Sequence, residues 1–208
     1  MWRRKPTIII GGGPSLKEFD LEVLQGKVHA IAVKGAIFDY PWADVGFGLD
    51  TIELRKWWKR LRDVNFPIWW AVPDTWTVNR LSFPPRNLHY LRRDTKLGLS
   101  DNPSVIHGGG TSGFGAFNFA YLKGATKIVL FGFDYGPNDE GEWHANQRHY
   151  DPNHQYDFET WKAWAASFNH VIPQMEKSNI EVTNASPTSR IEVFKRVSVE
   201  EGIAQCLR

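Results

Sequence analysis

Two glycine clusters and one loop of histidines and tyrosines are the parts of this chain whose residue types and spacing could do chemistry. GGGPS at 11–15 follows the apolar run TIII, and GGGTSG at 108–113 precedes an apolar stretch of helical period. Main-chain N–H groups close on an anion only where no Cβ stands in the way, and a helix N-terminus adds positive potential. Gly11, Gly12, Gly13 and Ser15 on one side, and Gly110, Thr111, Ser112 and Gly113 on the other, are therefore candidate phosphate ligands. Either cluster alone reads equally as a tight turn. Two clusters on one edge of one sheet favour a nucleotide.

The third constellation is the loop at 135–157, with His144, His149 and His154, Tyr135, Tyr150 and Tyr156, and Trp143. Imidazole titrates near neutrality, so one of these histidines could take a proton from a hydroxyl, the alternative being a solvated loop residue. Phenolic O–H groups could donate to phosphate oxygens and stabilise a leaving group without a metal. A zinc site of His144, His149 and His154 is conceivable, but the spacings match no helical H-x-x-x-H pair. Leu16 stands where the dinucleotide fingerprint G-x-G-x-x-G needs its third glycine, and no G-x-x-x-x-G-K-[ST] occurs. The sequence also lacks the D-x-D dyad often used to hold a metal-bound sugar nucleotide.

The elements that must position these residues can be read from hydrophobic period and punctuation. TIIIG at 7–11, VHAIAV at 28–33, DVGFGLD at 44–50, FPIWWAV at 66–72, TKIVLFGFD at 126–134 and IEVTNA at 180–185 read as strands, and NLHYL at 87–91 as a short one. SLKEFDLEVL reads as a helix opened by a Ser15/Glu18 capping box, 51–63 as a helix capped by Thr51, and 158–175 as a helix with Pro173 near its end. In 111–125, Phe114, Phe117, Ala120 and Tyr121 or Leu122 fall on one helical face, and SVEEGIAQC is a short helix with a Ser198/Glu201 box. Strand and helix alternate, which predicts a Rossmann-like, doubly wound α/β fold: a mostly parallel sheet with helices on both faces. The expectation is one domain over 1–208, with a loop-rich insertion at about 73–103 and a lid at about 135–157. Ligands of such folds bind beyond the carboxyl ends of the strands, which adds Lys34, Asp50, Gly132 and Asp134 to the candidates.

Composition narrows the partners. The chain has 208 residues, 42% of them hydrophobic, and 25 basic against 23 acidic groups, so no global field draws it to nucleic acid or an anionic membrane. RKWWKRLR at 55–62 is a local exception: either a solvated helix face with a core tryptophan, or a polyanion contact. The single Cys206 rules out an intrachain disulfide and a cysteine-held zinc. No window of about 18 apolar residues exists, and three isoleucines are too few for a secretory signal, so cytoplasmic residence is the expectation.

IIIGGGPSLKEFDLEVL resembles the opening of the bacterial sialyltransferases that use CMP-sialic acid and are built on one Rossmann-like domain. TSGFGAFNFAYLKGATKIVLFGFD is similar to their second motif, and HYDPNH to the segment carrying their catalytic histidine. The glycine motifs recur in a wider group: the domain of unknown function 115, flagellin motility-accessory glycosyltransferases and archaeal 6-hydroxymethylpterin pyrophosphokinases. The resemblance implies that Gly11, Gly13 and Ser15 lie beside the donor nucleotide, that Thr111, Ser112 and Gly113 contact its ribose or phosphate, and that Gly132 and Asp134 shape the same pocket. It makes His154 the general base. Lys34 replaces the asparagine that the sialyltransferases place after the second strand, Asp50 follows the third, and Tyr135 is displaced by one position from their phosphate-binding tyrosine.

The function expected is a metal-independent, inverting glycosyltransferase with no tightly bound cofactor. It would take a nucleotide-sugar donor, CMP-linked by resemblance, and a glycan or other hydroxyl acceptor. His154 would deprotonate the acceptor while Tyr135, Tyr150 and the amides of Gly110 to Ser112 hold the departing phosphate, and Trp76 and Trp143 could stack on a sugar. Two readings stay open beside it. One is an ATP- and Mg²⁺-dependent pyrophosphokinase with Asp50 and Asp134 as metal ligands. The other is a non-catalytic nucleotide-binding module of a phage or cell-surface modification system. Homo-oligomers stay open as well.

Overall fold

β1 (Thr7–Ile10) alternates its side chains between two apolar layers: Ile8 and Ile10 enter one, Ile9 the other, and all are fully buried. Strands covered on both faces need helices on both sides, and in this computed structural model they have them. The structure describes residues 2, 4–73, 84–139, 144–146 and 156–208. Among the described residues nine strands make one sheet: β1, β2 (His29–Val33), β3 (Val45–Gly48), β4 (Ile68–Val72), β5 (Leu88–Asp94), β6 (Val105–His107), β7 (Lys127–Phe131), β8 (Glu181–Ala185) and β9 (Lys195–Arg196). Their order is β6-β5-β4-β3-β2-β1-β7-β8-β9, and every pairing is parallel.

Among the described residues six α-helices accompany them: α1 (Ala36–Asp39), α2 (Thr51–Leu61), α3 (Ser112–Leu122), α4 (Phe158–Ala166), α5 (Ile172–Ser178) and α6 (Val199–Leu207). Leu54, Trp57 and Leu61 of α2 and Val199 and Cys206 of α6 share a core with Ile8, Ile10 and Trp70. Phe114 and Phe117 of α3, with Phe168 and Met175, pack on Ile9, Ile31, Phe47 and Leu130 on the other face. The chain runs outward from β1 to β6, then returns through α3 to β7 on the opposite side of β1. The strand order therefore reverses between β1 and β7, and a crevice opens beyond their carboxyl ends.

The predicted sheet is thus all parallel rather than mostly so, and three local expectations fail for identifiable reasons. SLKEFDLEVL is not a helix but two short 3-10 turns, Pro14–Leu16 and Glu22–Leu24. Ser15 gives its hydroxyl to Asp134 at 2.8 Å instead of capping, and Asp20 accepts from the Glu22 N–H in a local turn that competes with helix. The cap of α2 is Asp50, whose Oδ1 accepts from the N–H groups of Ile52 (2.8 Å) and Glu53 (3.4 Å), with Thr51 already inside the helix. The helix read over 158–175 is broken by a 3-10 turn at Ser167–Val171, and Pro173 lies in the first turn of α5. Ser198 does cap α6, accepting from the Glu201 N–H at 3.1 Å. Among the described residues no helix is long and apolar enough to cross a membrane.

Candidate functional site

The floor of the crevice is built by two strand ends in close contact. Gly11 donates to the Phe131 carbonyl at 2.8 Å and Gly13 to the Gly132 carbonyl at 2.9 Å, which extends the β1–β7 ladder past its last paired residues. A Cβ on Gly11 would stand 2.5 Å from the Gly132 oxygen, and one on Gly13 would overlap the Asp134 carboxylate. Glycine here permits backbone to meet backbone. The exposed edge of this turn is the Gly12 carbonyl, which accepts from Ala145 N–H at 2.8 Å and lies 3.1 Å from His144 Nδ1. A carbonyl only accepts, so when the ring is neutral that contact places its proton on Nδ1 and leaves Nε2 as the basic nitrogen.

The opposite wall is the start of α3. Gly109 and Gly110 take left-handed φ values of 50° and 85°, which bend the chain out of β6 so that Thr111 can cap the helix, its Oγ1 accepting from Phe114 N–H at 3.1 Å. Thr111 Oγ1 also lies 3.0 Å from the Tyr135 hydroxyl. Whichever of the two donates to the other, one O–H proton of the pair is left for a ligand. Burial pushes the Tyr135 phenol far above its ordinary range, so it stays a neutral donor. Among the described residues the N–H groups of Gly110, Ser112 and Gly113 have no acceptor, and all three residues line the cleft at the positive end of the helix. Ser112 Oγ accepts from Leu49 N–H at 3.1 Å, tying α3 to the end of β3.

The cleft between these walls encloses about 570 Å³. Lys34, in a left-handed conformation (φ 55°) after β2, forms a 2.6 Å ion pair with Glu53. Burial raises the Glu53 carboxyl, and the Lys34 charge opposes that rise. Lys56 and Arg93 bring further positive charge, and Arg93 also reaches the Leu49 carbonyl at 3.4 Å. Tyr156, Trp161 and Trp164 close the cleft with mutually edge-on rings whose centroids are 4.5–5.5 Å apart. Burial, then the nearby Glu53 and Asp50, raises the Tyr156 phenol.

The structure therefore brings Gly11, Gly12, Gly13, Lys34, Asp50, Gly110, Thr111, Ser112, Gly113, Gly132, Tyr135 and His144 to one cleft. Ser15 and Asp134 turn away from it. Asp134 is 3% exposed and accepts from Ser15 Oγ (2.8 Å) and from Thr188 Oγ1 (2.6 Å), so it is not placed with Asp50 as a pair of carboxylates facing a metal. Among the described residues no group of three or more His, Cys, Asp or Glu side chains could hold a metal ion. His149, His154, Tyr150, Trp76 and Trp143, and most of the proposed lid, lie outside the described residues. Sequence reasoning missed Glu53, Lys56, Arg93, Trp161 and Trp164. The i, i+3 spacing of Trp161 and Trp164 was a usable sign of a shared helix face. Arg93 carries no such sign, because the strand pattern of NLHYL at 87–91 ends two residues before it, whereas β5 runs to Asp94.

No protein-family model matches the chain, and no curated protein matches it. A solved structure of similar fold is that of the sialyltransferase CstII from Campylobacter jejuni in complex with a substrate analogue, cytidine-5'-monophosphate. The likeness has a TM-score of 0.53 at 14% identity, over 94% of this chain and 86% of that one. At that identity it is the α/β fold alone that the two chains share.

Proposed function

We propose that this protein is a glycosyltransferase of the sialyltransferase type, which moves a sugar from a nucleotide-linked donor, CMP-linked in the first instance, to a hydroxyl acceptor. The observation that carries the reading is the start of α3: three amides without acceptors and one spare hydroxyl proton converge on a cleft that Lys56 and Arg93 make more positive. A phosphate seated there gains hydrogen bonds and a favourable field as charge develops on it. The chain's own groups thus serve the leaving group, and no metal is required by the reading. Tyr156, Trp161 and Trp164 offer ring faces and edges to a base or sugar.

In the reaction, the acceptor oxygen forms a bond to the anomeric carbon as the bond from that carbon to the phosphate oxygen breaks. The nucleotide departs with the electron pair, and the acceptor proton passes to an imidazole. The resemblance gives that role to His154. His144 is the second candidate, because the Gly12 carbonyl already holds its ring with Nε2 as the basic atom. A single displacement inverts the anomeric centre.

A thermal-shift panel of CMP, UDP, GDP and ATP, each with and without Mg²⁺, tests the reading. A ligand at about one hundred times its dissociation constant adds roughly 2.7 kcal/mol of stability. CMP is expected to shift the midpoint without Mg²⁺. A shift confined to ATP with Mg²⁺ would replace the transferase by a pyrophosphokinase, and no shift with any nucleotide would remove the donor site. Replacing the true base, by His154→Ala or His144→Ala, is expected to abolish turnover and leave the CMP shift intact.

A further inference from the structure

The outer face of α2 is strongly charged, and apart from Lys56 at the cleft lip the proposed transfer does not use it. Residues 51–63 hold five cations against two carboxylates, Glu53 and Asp63, whereas the rest of the chain holds one more acid than base. The positive field is therefore local to this helix. Leu54, Trp57 and Leu61 are buried in the core, and helical period turns Ile52, Arg55, Lys56, Lys59 and Arg62 to the opposite, exposed side. Among the described residues none of these four cations forms a salt bridge, because Glu53 is directed inward to Lys34. Lys59 and Arg62 lie over the half-buried Trp58 at 6.0 and 5.3 Å from its ring centre.

Two residues belong both to this face and to the cleft. Ile52, 75% exposed, and Lys56 stand at the cleft lip, and from Lys56 the cations continue along the helix to Arg62, a distance of about 9 Å at 1.5 Å per residue. We propose that this face is the acceptor track: it binds a polyanionic glycan, a saccharide chain bearing carboxylates or phosphates, and leads its terminal hydroxyl past Lys56 into the cleft. The proposal rests on the glycosyltransferase reading for the role of the cleft. A single-stranded nucleic acid would require open aromatic platforms, but Trp57 is buried and Trp58 lies under two cations. Insertion into a membrane would require an apolar face, and that of α2 is spent in the core.

The test uses the full chain and its Arg55→Gln/Lys59→Gln variant, two exposed positions outside the cleft lining. Three end-labelled probes of equal length are titrated by fluorescence anisotropy: an oligogalacturonate, a neutral dextran oligomer and a single-stranded DNA oligomer. Oligogalacturonate is expected to bind the parent, to weaken as salt rises, and to bind the variant roughly tenfold more weakly, while dextran does not bind. The proposal falls if the variant binds oligogalacturonate as the parent does, if dextran binds equally well, or if the DNA oligomer binds more tightly than the glycan. CMP thermal shifts on the same two proteins keep the readings apart. Loss of the shift in both removes the transferase, whereas a retained shift with unchanged glycan binding removes only the track.

Discussion

The two glycine turns look alike in sequence and solve different physical problems. In the turn after β1 no glycine is left-handed; glycine is required because the Gly132 carbonyl and the Asp134 carboxylate approach where Cβ atoms would stand. Its amides are largely committed, those of Gly11 and Gly13 to carbonyls of the β7 end and that of Ser15 to Asp134 at 3.4 Å. In the turn after β6, Gly109 and Gly110 are required by their dihedral angles, and the amides of Gly110, Ser112 and Gly113 are left over. A glycine run thus announces that backbone must come close to something, without saying whether that is another strand or a ligand. Here the first turn is the floor of the cleft, and the second is a wall that leaves its donors open.

The sharpest way to break this contrast is Gly13→Ala. The added methyl meets backbone and a buried carboxylate, so about 3 kcal/mol of stability should be lost, read as a fall in the urea midpoint at constant slope. A variant that kept the parent midpoint would mean that the first turn has room for a ligand after all. Gly110→Ala should cost less, about 1–2 kcal/mol, for the left-handed backbone and a Trp164 ring atom 2.9 Å from the new carbon. It should also abolish most of the CMP shift, which Gly13→Ala is not expected to do in the fraction that folds. Thr111→Val removes the α3 cap and the Tyr135 partner together; about 1 kcal/mol of stability should go, with a weaker CMP shift.

The layered architecture is legible because strands buried on both faces leave near-continuous apolar runs, and among the described residues five of the nine strands (β1, β2, β3, β4 and β7) carry one. β6 and β9 were not legible: three residues and two residues respectively acquire their strand character from the neighbour they pair with. The false helix at SLKEFDLEVL shows the same limit from the other side. Its capping box is good local chemistry, but Asp134, more than a hundred residues away, competes for Ser15 and wins. In the site, the main-chain features were readable from glycine and helix-cap signals. The cations and aromatics that complete it come from α2, α4 and β5, and only the path of the chain brings them to the cleft.

Asp134 supplies the finest test of the contrast, because its carboxylate fastens the first turn through Ser15 and Thr188 without touching the cleft. Burial raises its pKa above the ordinary 3.8, and the hydrogen bonds from Thr188 and Ser15 only partly oppose this. The native state then holds the proton at pH values where the unfolded chain has lost it. The stabilisation by protonated Asp134 is complete below about pH 3.8 and is lost as pH rises through the native pKa. Asp134→Asn cannot ionise, so this fall should be absent from its stability profile, and at neutral pH the variant should lie within about 1 kcal/mol of the parent. Glu53 contributes a slope of the same sign, so the quantity to follow is the parent-minus-variant difference in unfolding free energy between pH 3 and 8. That difference should decline with pH and then level off. A difference that grew with pH would mean that Ser15 and Thr188 stabilise the ionised carboxylate more than burial penalises it, and the first turn would then be held by a charge rather than by close packing of its backbone.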